Sequence, residues 1–314
     1  MSDAALPHPT PVQAPHTVKN GWLKRALASD LFYSFRRSKL TVVAAAITLI
    51  FFLLAVFAPV LSPQNPFDPA QLQLLNSRIS PLWTADGQSP FLLGTDEQGR
   101  DVLSAILYGL RISLIVGILG VVFSGALGIA LGLIAGYFGG RIDDALMRFT
   151  EFFQTIPSFA LAIVLVAILQ PSIYSIVAAI GLVSWPPVAR LVRGEVLSLR
   201  TREYVQAAIV TGQSNAWIIW REILPNALSP VIVLASLMVA TAILLESSLS
   251  FLGLGDPNLI SWGYMVGAGR TVIRQAWWIT VFPGVAILLS VLGLNLIGEG
   301  LNDALNPRLS REGR

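Results

Sequence analysis

The chain has 314 residues, of which 54% are hydrophobic and only 12% charged; its mean hydropathy is +0.68 and its formal net charge +3. An average soluble domain carries about 25% charged residues to cover its core, so this composition specifies an integral membrane protein and excludes disordered, collagen-like and coiled-coil classes. Cysteine is absent, which removes disulfides, thiol nucleophiles and Cys-ligated metals.

Residues 1–20 are rich in Pro, Ala and Thr and read as a flexible tail. In residues 22–37, Trp22, Leu23, Leu27, Leu31 and Phe35 recur at roughly helical spacing among Lys24, Arg25, Arg36 and Arg37. This pattern suits either an interfacial amphipathic helix on an anionic membrane surface or a plain basic flank of the next segment. Residues 1–39 together form the first unit, a tail with this helix. Leu40–Leu61 carries no charge and is long enough to span, at about 33 Å. It starts too late and runs too long for a cleaved signal peptide.

Residues 62–110 are polar and punctuated by Pro63, Pro66, Pro69, Pro81 and Pro90, which predicts a large extramembrane loop. Thr95 with Gln98 three residues later fits a capping box, predicting a short helix from there to about Tyr108. From 112 to 136 the chain is again uncharged, with Gly120, Ser124, Gly128, Gly132 and Gly136 every four residues. Such a stripe lets another helix approach closely.

The uncharged stretch between Glu151 and Arg190 would make one helix of nearly 60 Å, about twice the hydrocarbon thickness. It therefore reads as two spans, turning at Gln170-Pro171. Uncharged runs at 223–245 and 275–298 complete six spans. With the N-terminus inside, 16 basic residues fall on cytoplasmic segments and 5 on outer ones, so both termini are expected in the cytoplasm. The basic charge is spread over helix ends and forms no nucleic-acid footprint.

Chemistry is constrained as well. His8 and His16 both lie in the tail, which argues against a Ser–His hydrolase, an intramembrane zinc site or a His-ligated haem. No Gly-Lys pair exists, so there is no Walker A loop, and ATP hydrolysis would have to come from another chain.

Between the fourth and fifth spans lies Arg202-Glu203-Tyr204-Val205-Gln206-Ala207-Ala208-Ile209-Val210-Thr211-Gly212, continuing to Ile223-Leu224-Pro225. Gly212 can end a helix in the left-handed conformation, and Pro225 can begin the next span. On its own physics this is a short surface helix–turn–helix.

The loop resembles the EAA loop of bacterial ABC importer permeases, with Tyr204, Ala207, Ala208, Gly212, Leu224 and Pro225 in register and Gln206 where the family has Glu. Leu93-Gly94-Thr95-Asp96-Glu97-Gln98-Gly99-Arg100-Asp101-Val102-Leu103-Ser104 looks like the outer-loop signature of the peptide/nickel subfamily; its marker positions are Gly94, Thr95, Asp96, Gly99, Arg100 and Asp101. Ser250-Phe251-Leu252-Gly253-Leu254-Gly255, Ser261-Trp262-Gly263 and the run Asn295–Pro307 match too. The chain is identified as a member of the dipeptide/oligopeptide/nickel permease family, resembling its C-type subunit over residues 22–309.

That resemblance implies an all-α type I ABC importer fold of six transmembrane helices, with residues 111–303 as the transmembrane domain, a coupling loop at about 200–225, and a cytoplasmic tail at 304–314. It implies a bacterial inner-membrane location and no catalytic, metal or cofactor site in this chain. The expected partners are a homologous B-type permease, two ATPase subunits holding ATP and Mg²⁺, an extracytoplasmic binding protein, a peptide substrate and lipid.

Glu246 is a pathway candidate because an intramembrane carboxylate is functional by default; Ser247 and Gln154 join it as hydrogen-bonding groups, although Ser247, Ser248, Gln154 and Thr155 are equally suited to bonds within the bundle. Arg190 and Arg193 are expected to snorkel, Asp96, Arg100 and Asp101 to pair among themselves, and Trp277 and Trp278 to form an interfacial belt. The alternatives are nickel or metal-chelate import by the same machinery, and a stand-alone secondary transporter. The latter would ordinarily show deep coupling carboxylates or an internal repeat.

Overall fold

The computed structural model describes residues 39–305; the expected tail at 1–20, the amphipathic segment at 22–37 and the residues after 305 lie outside them. Among the described residues there are helices and turns but no strand, only an isolated bridge between Thr95 and Asp101. Among the described residues five helices are long and apolar enough to cross a membrane, and there are six crossings when the bent pair Gly140–Thr155 and Ser158–Leu169 is counted as one broken span.

The first crossing is α1 (Lys39–Val56), extended by the short α2 (Ala58–Leu61). Residues 62–101 follow at what is here termed the loop end of the bundle. The second crossing, α3 (Val102–Phe138), is one unbroken helix of 37 residues. The separate short helix expected before residue 112 does not exist, because nothing between Tyr108 and Ile112 breaks the helical ladder. Its N-cap is Asp101, whose side chain accepts from Ser104 N, so Thr95 caps no helix.

The third crossing is broken. Helix α4 (Gly140–Thr155) meets α5 (Ser158–Leu169) at 87°. Pro157 cannot donate to a helical carbonyl, and Ile156 before it takes the extended backbone that a following proline favours. The plain span expected there is therefore split, and α5 alone covers about 18 Å. Gln170, at φ 70°, turns the chain into α6 (Ile173–Arg200), as its position before Pro171 predicts.

Helix α6 packs along the small-residue stripe of α3. A Cβ on Gly128 would lie 2.6 Å from that of Val188, one on Gly132 2.7 Å from that of Val192, and one on Gly136 2.7 Å from that of Val196. The stripe therefore serves close helix approach. The elbow between α4 and α5 rests on α6 through Phe149, stacked 5.8 Å from buried Trp185, and Phe153, edge-on at 5.5 Å.

At the opposite end, the hairpin end, α7 (Glu203–Val210) and α8 (Asn215–Ile218) form a surface hairpin. A π-turn, Ile219–Ile223, joins α8 to α9 (Leu224–Phe251), giving a rod from Asn215 to Phe251. Pro225 stands in the first turn of α9, as expected, although the rod itself continues back through the π-turn to Asn215. The proline's missing N–H falls directly after the π-turn, where the ladder is already re-registered. The chain returns through α10 (Trp262–Gly269) at the loop end and ends in α11 (Trp278–Leu305).

Candidate functional site

The hairpin is built from local signals outward. Thr211 ends α7, Gly212 at φ 77° donates to Ile209 O, and Gln213 donates to Ala208 O. This is the paired bonding of a Schellman cap, and only glycine adopts that φ without strain. Ser214 then caps α8, accepting from Trp217 N at 3.3 Å.

Val205, Ile218 and Ile223 are fully buried and pack on Tyr137, Val192 and Val196, which fastens the hairpin to α3 and α6. Tyr137 Oη donates to Asn215 Oδ1 at 2.9 Å. The outer surface of the hairpin carries five exposed large apolar side chains, Tyr204, Ile209, Val210 (85%), Trp217 and Trp220, among exposed polar ones such as Glu203, Gln206 and Gln213. Gln206 and Ala207 are exposed and Ala208 partly so; Leu224 is half-buried and Pro225 exposed. An apolar patch on a rigid, capped element at the end of a membrane bundle has the character of a protein-docking surface. Gln206, where the resembled family has Glu, donates through Nε2 to Arg200 O at 2.8 Å, a bond that a carboxylate could not make.

The outer-loop signature is a tied knot. Gly94 and Gly99 both have positive φ, and a Cβ on Gly99 would sit 2.1 Å from Gln73 O. Thr95 Oγ1 donates to Asn76 O and accepts from Ile79 N. Asp96 Oδ1 accepts from Gln98 N and Arg100 N, and its carboxylate pairs loosely with Arg100 at 3.9 Å. Asp101 does not join that pair: its Oδ2 accepts from Ser104 N at 2.8 Å and Ser104 Oγ at 2.6 Å. Burial pushes both carboxyls up from the ordinary value, against the hydrogen bonds that hold them down.

Gln64, which carried no signal in the sequence, clasps this knot. Its Oε1 accepts from Asp101 N and its main chain donates to Ser104 Oγ. Trp278 is the second clasp, donating from Nε1 to Thr95 O at 2.9 Å. It is 5% exposed, so the expected belt reduces to Trp277, at 41%. Asp256 Oδ2 accepts from Ile173 N, and Trp262 Nε1 donates to Ile106 O, tying the 250–263 motif to α6 and α3.

Inside the bundle, Glu246 is 1% exposed. Its carboxylate accepts from Ser113 Oγ at 3.0 Å, Ser250 Oγ at 2.7 Å and Ser247 Oγ at 3.4 Å. It sits within the chain's own packing; Ser247, also buried, borders a separate cleft with Ser248, Phe251 and Gly263, and Gln154 is exposed beside the elbow. Thr155 and Ser248 bond to main-chain carbonyls of their own helices. Arg193 does not snorkel: it grips Asp143 on α4 with two bonds of 2.5 and 2.6 Å, because the helix crossing brings a carboxylate to it. Arg190 is exposed. Asn295, Gly298, Glu299 and Asn302 line an open cleft of about 1060 Å³ at the hairpin end with Glu195 and Asn226.

Comparison with known proteins accords with this geometry. Residues 128–311 match the family model "Binding-protein-dependent transport system inner membrane component", and residues 27–81 match "N-terminal TM domain of oligopeptide transport permease C". The chain is 40% identical to the di/tripeptide transport system permease protein DppC of Pseudomonas aeruginosa, covering 96% of this chain and 97% of that one. It is 39% identical to the dipeptide permease protein DppC of Alkalihalophilus pseudofirmus, covering 96% and 95%. To the oligopeptide permease protein OppC of Bacillus subtilis it is 35% identical, covering 91% of each. A chain of the inward-facing MetNI methionine ABC transporter superposes with a TM-score of 0.53 at 15% identity, covering 67% of this chain and 96% of that one, which is a likeness of fold. The six-crossing bundle, its capped hairpin and its near full-length relatives make this chain a member of the family of inner-membrane permease components of binding-protein-dependent transport systems.

Proposed function

We propose that the chain is one permease subunit of an ATP-driven importer that passes dipeptides or oligopeptides across the cytoplasmic membrane. The observation that carries the reading is the 203–220 hairpin, a capped element that exposes five large apolar side chains and is keyed into the bundle by Val205, Ile218 and Ile223. In this reading the hairpin seats in an ATPase subunit that binds ATP and Mg²⁺. Closure of two such subunits moves the hairpin, and the rod Asn215–Phe251 carries the movement into the membrane. A homologous B-type permease supplies the other half of the pathway, and an extracytoplasmic binding protein delivers the peptide to the loop end. Both termini are then cytoplasmic. The names of the relatives favour peptide over nickel or a metal chelate as cargo.

The test is affinity capture of the tagged chain from membranes in mild detergent, with mass spectrometry of what accompanies it, together with ATP-dependent uptake of a labelled dipeptide into vesicles. A second six-span permease and Walker A-containing ATPases are the expected companions. Gly212→Trp, which forces a bulky residue into the left-handed cap, should shed the ATPases and retain the permease. A chain captured only with itself, carrying peptide without ATP hydrolysis, would instead be an autonomous carrier.

A further inference from the structure

The elbow between α4 and α5 lies against a proline pair inside α6, and both border one cleft of about 470 Å³. Pro186 and Pro187 stand near the midpoint of Ile173–Arg200, so the cleft lies at the middle depth of the bundle. Neither proline has an N–H, so the carbonyls of Leu182 and Val183 lose their ordinary helical donors. At the elbow the last turn of α4 leaves its carbonyls without a following helical donor, Phe152 O accepting instead from Thr155 Oγ1, and α5 begins behind Pro157 with no side chain capping its first amides. Unsatisfied main chain at membrane depth is tolerated where it lines a path for a polar guest.

The side chains around the breaks fit the same purpose. Gln154, Ser158 and Ser184 line the cleft and make no hydrogen bond with any described residue. Thr241 and Met238 of α9 close the far wall, and among the described residues no ionisable side chain lines the cleft. Hydrogen-bonding capacity is thus concentrated in main-chain and neutral groups, with apolar surface between them.

Resting on the peptide-importer reading above, we propose that this cleft is the surface by which the chain contacts its cargo, and that it reads the peptide main chain. A peptide bond offers one donor and one acceptor, as the two ends of the broken crossing do. Side-chain charge finds no counter-charge here, so the cleft passes peptides without sorting them by it. Glu246, sealed within its serine cage, does not line this cleft.

The native chain has no cysteine, so Ser184→Cys introduces a single thiol here by a near-isosteric change. The assembled complex, reconstituted in liposomes, is assayed for ATP-driven uptake of labelled dipeptide before and after a bulky methanethiosulfonate reagent. Ile168→Cys, at an exposed position on α5, serves as a control, and the unsubstituted complex reports on thiols of the other subunits. Uptake by Ser184→Cys, measured against its own rate before labelling, should fall at least tenfold after it. Saturating dipeptide during turnover should slow that labelling, whereas Ile168→Cys should be indifferent to both treatments. Gln154→Leu combined with Ser158→Ala should raise the KM for uptake several-fold, equally for acidic, neutral and basic dipeptides, with subunit recovery unchanged. Full uptake by labelled Ser184→Cys would overturn the cleft assignment, and so would a loss in Gln154→Leu/Ser158→Ala confined to dipeptides of one charge. Absence of dipeptide uptake by the unsubstituted, fully assembled complex would instead remove the peptide reading and the cargo proposed for the cleft with it.

Discussion

The hydroxyl of Tyr137, in the last turn of α3, donates to the side-chain carbonyl of Asn215, the first residue of α8, across 2.9 Å. The bond joins the longest unbroken helix to the foot of the rod Asn215–Phe251. Near the other end of the rod, Glu246 accepts from Ser113 in the first third of α3. The rod is therefore tied to α3 near both its ends, and the π-turn at Ile219–Ile223 sits just above the lower tie. Tyr137→Phe should keep the ring packing and lose the bond, at a cost of about 1 kcal/mol. Hydrogen–deuterium exchange should then quicken across residues 203–218 and stay unchanged across α3. Unaltered exchange in the hairpin would mean that Val205, Ile218 and Ile223 hold it without help.

Arg193 and Asp143 form the principal polar tie between α6 and α4, through two parallel bonds at partly exposed side chains. Asp143→Ala should destabilise the complex by about 1–3 kcal/mol, since it strips a charged hydrogen-bond partner. Arg193→Lys should cost nearly as much, because an ammonium cannot reproduce the guanidinium fork. Melting temperature in detergent reports both. A lysine variant indistinguishable from wild type would show that only the charge matters.

Glu246 should behave as a keystone for three serines. Glu246→Gln retains a carbonyl acceptor, and the hydroxyls can rotate to accept from the amide, so its effect should be small. Glu246→Leu orphans Ser113, Ser247 and Ser250, at about 1–3 kcal/mol for each hydroxyl left buried without a partner. The yield of folded, monodisperse protein measures the difference. Equal yields from the two variants would contradict a structural cage.

Asp101 couples the outer knot to pH. Its Oδ2 is occupied by Ser104, while Oδ1 is buried without a hydrogen-bond partner and is free to carry a proton. Burial raises the folded carboxyl above its unfolded value, so the folded state binds the proton more tightly. Stability therefore falls as pH rises between the two values, and is recovered as pH drops through the folded one. Asp101→Asn keeps an N-cap acceptor and should flatten this dependence, whereas Asp101→Ala should lose about 0.5–2 kcal/mol of capping at any pH. Thermal melting of the three proteins across the mildly acidic range tests it, and an unchanged pH slope in Asp101→Asn would assign the slope to another group.

Much of this architecture is legible in the sequence because hydrocarbon imposes local rules. A segment that crosses it must be apolar for about 20 residues, which located the runs that became α1, α3, α6, α9 and α11. Small residues every four positions fall on one helix face whatever packs there, and α6 packs there. Gly212 ends α7 through main-chain geometry that needs no distant partner.

What only the tertiary structure decided is where polar groups inside or beside the membrane find partners. Read locally, Arg193 is a snorkelling base, Trp278 a belt residue, Thr95 a cap and Glu246 a pathway acid. Their actual partners, Asp143, Thr95 O, Asn76 O and Ser113, come from other segments of the chain. Water is scarce there, so each such group must be satisfied by protein. Which protein group arrives depends on helix crossings and on the bend at Ile156-Pro157, and neither is written in the periodicity of any single segment.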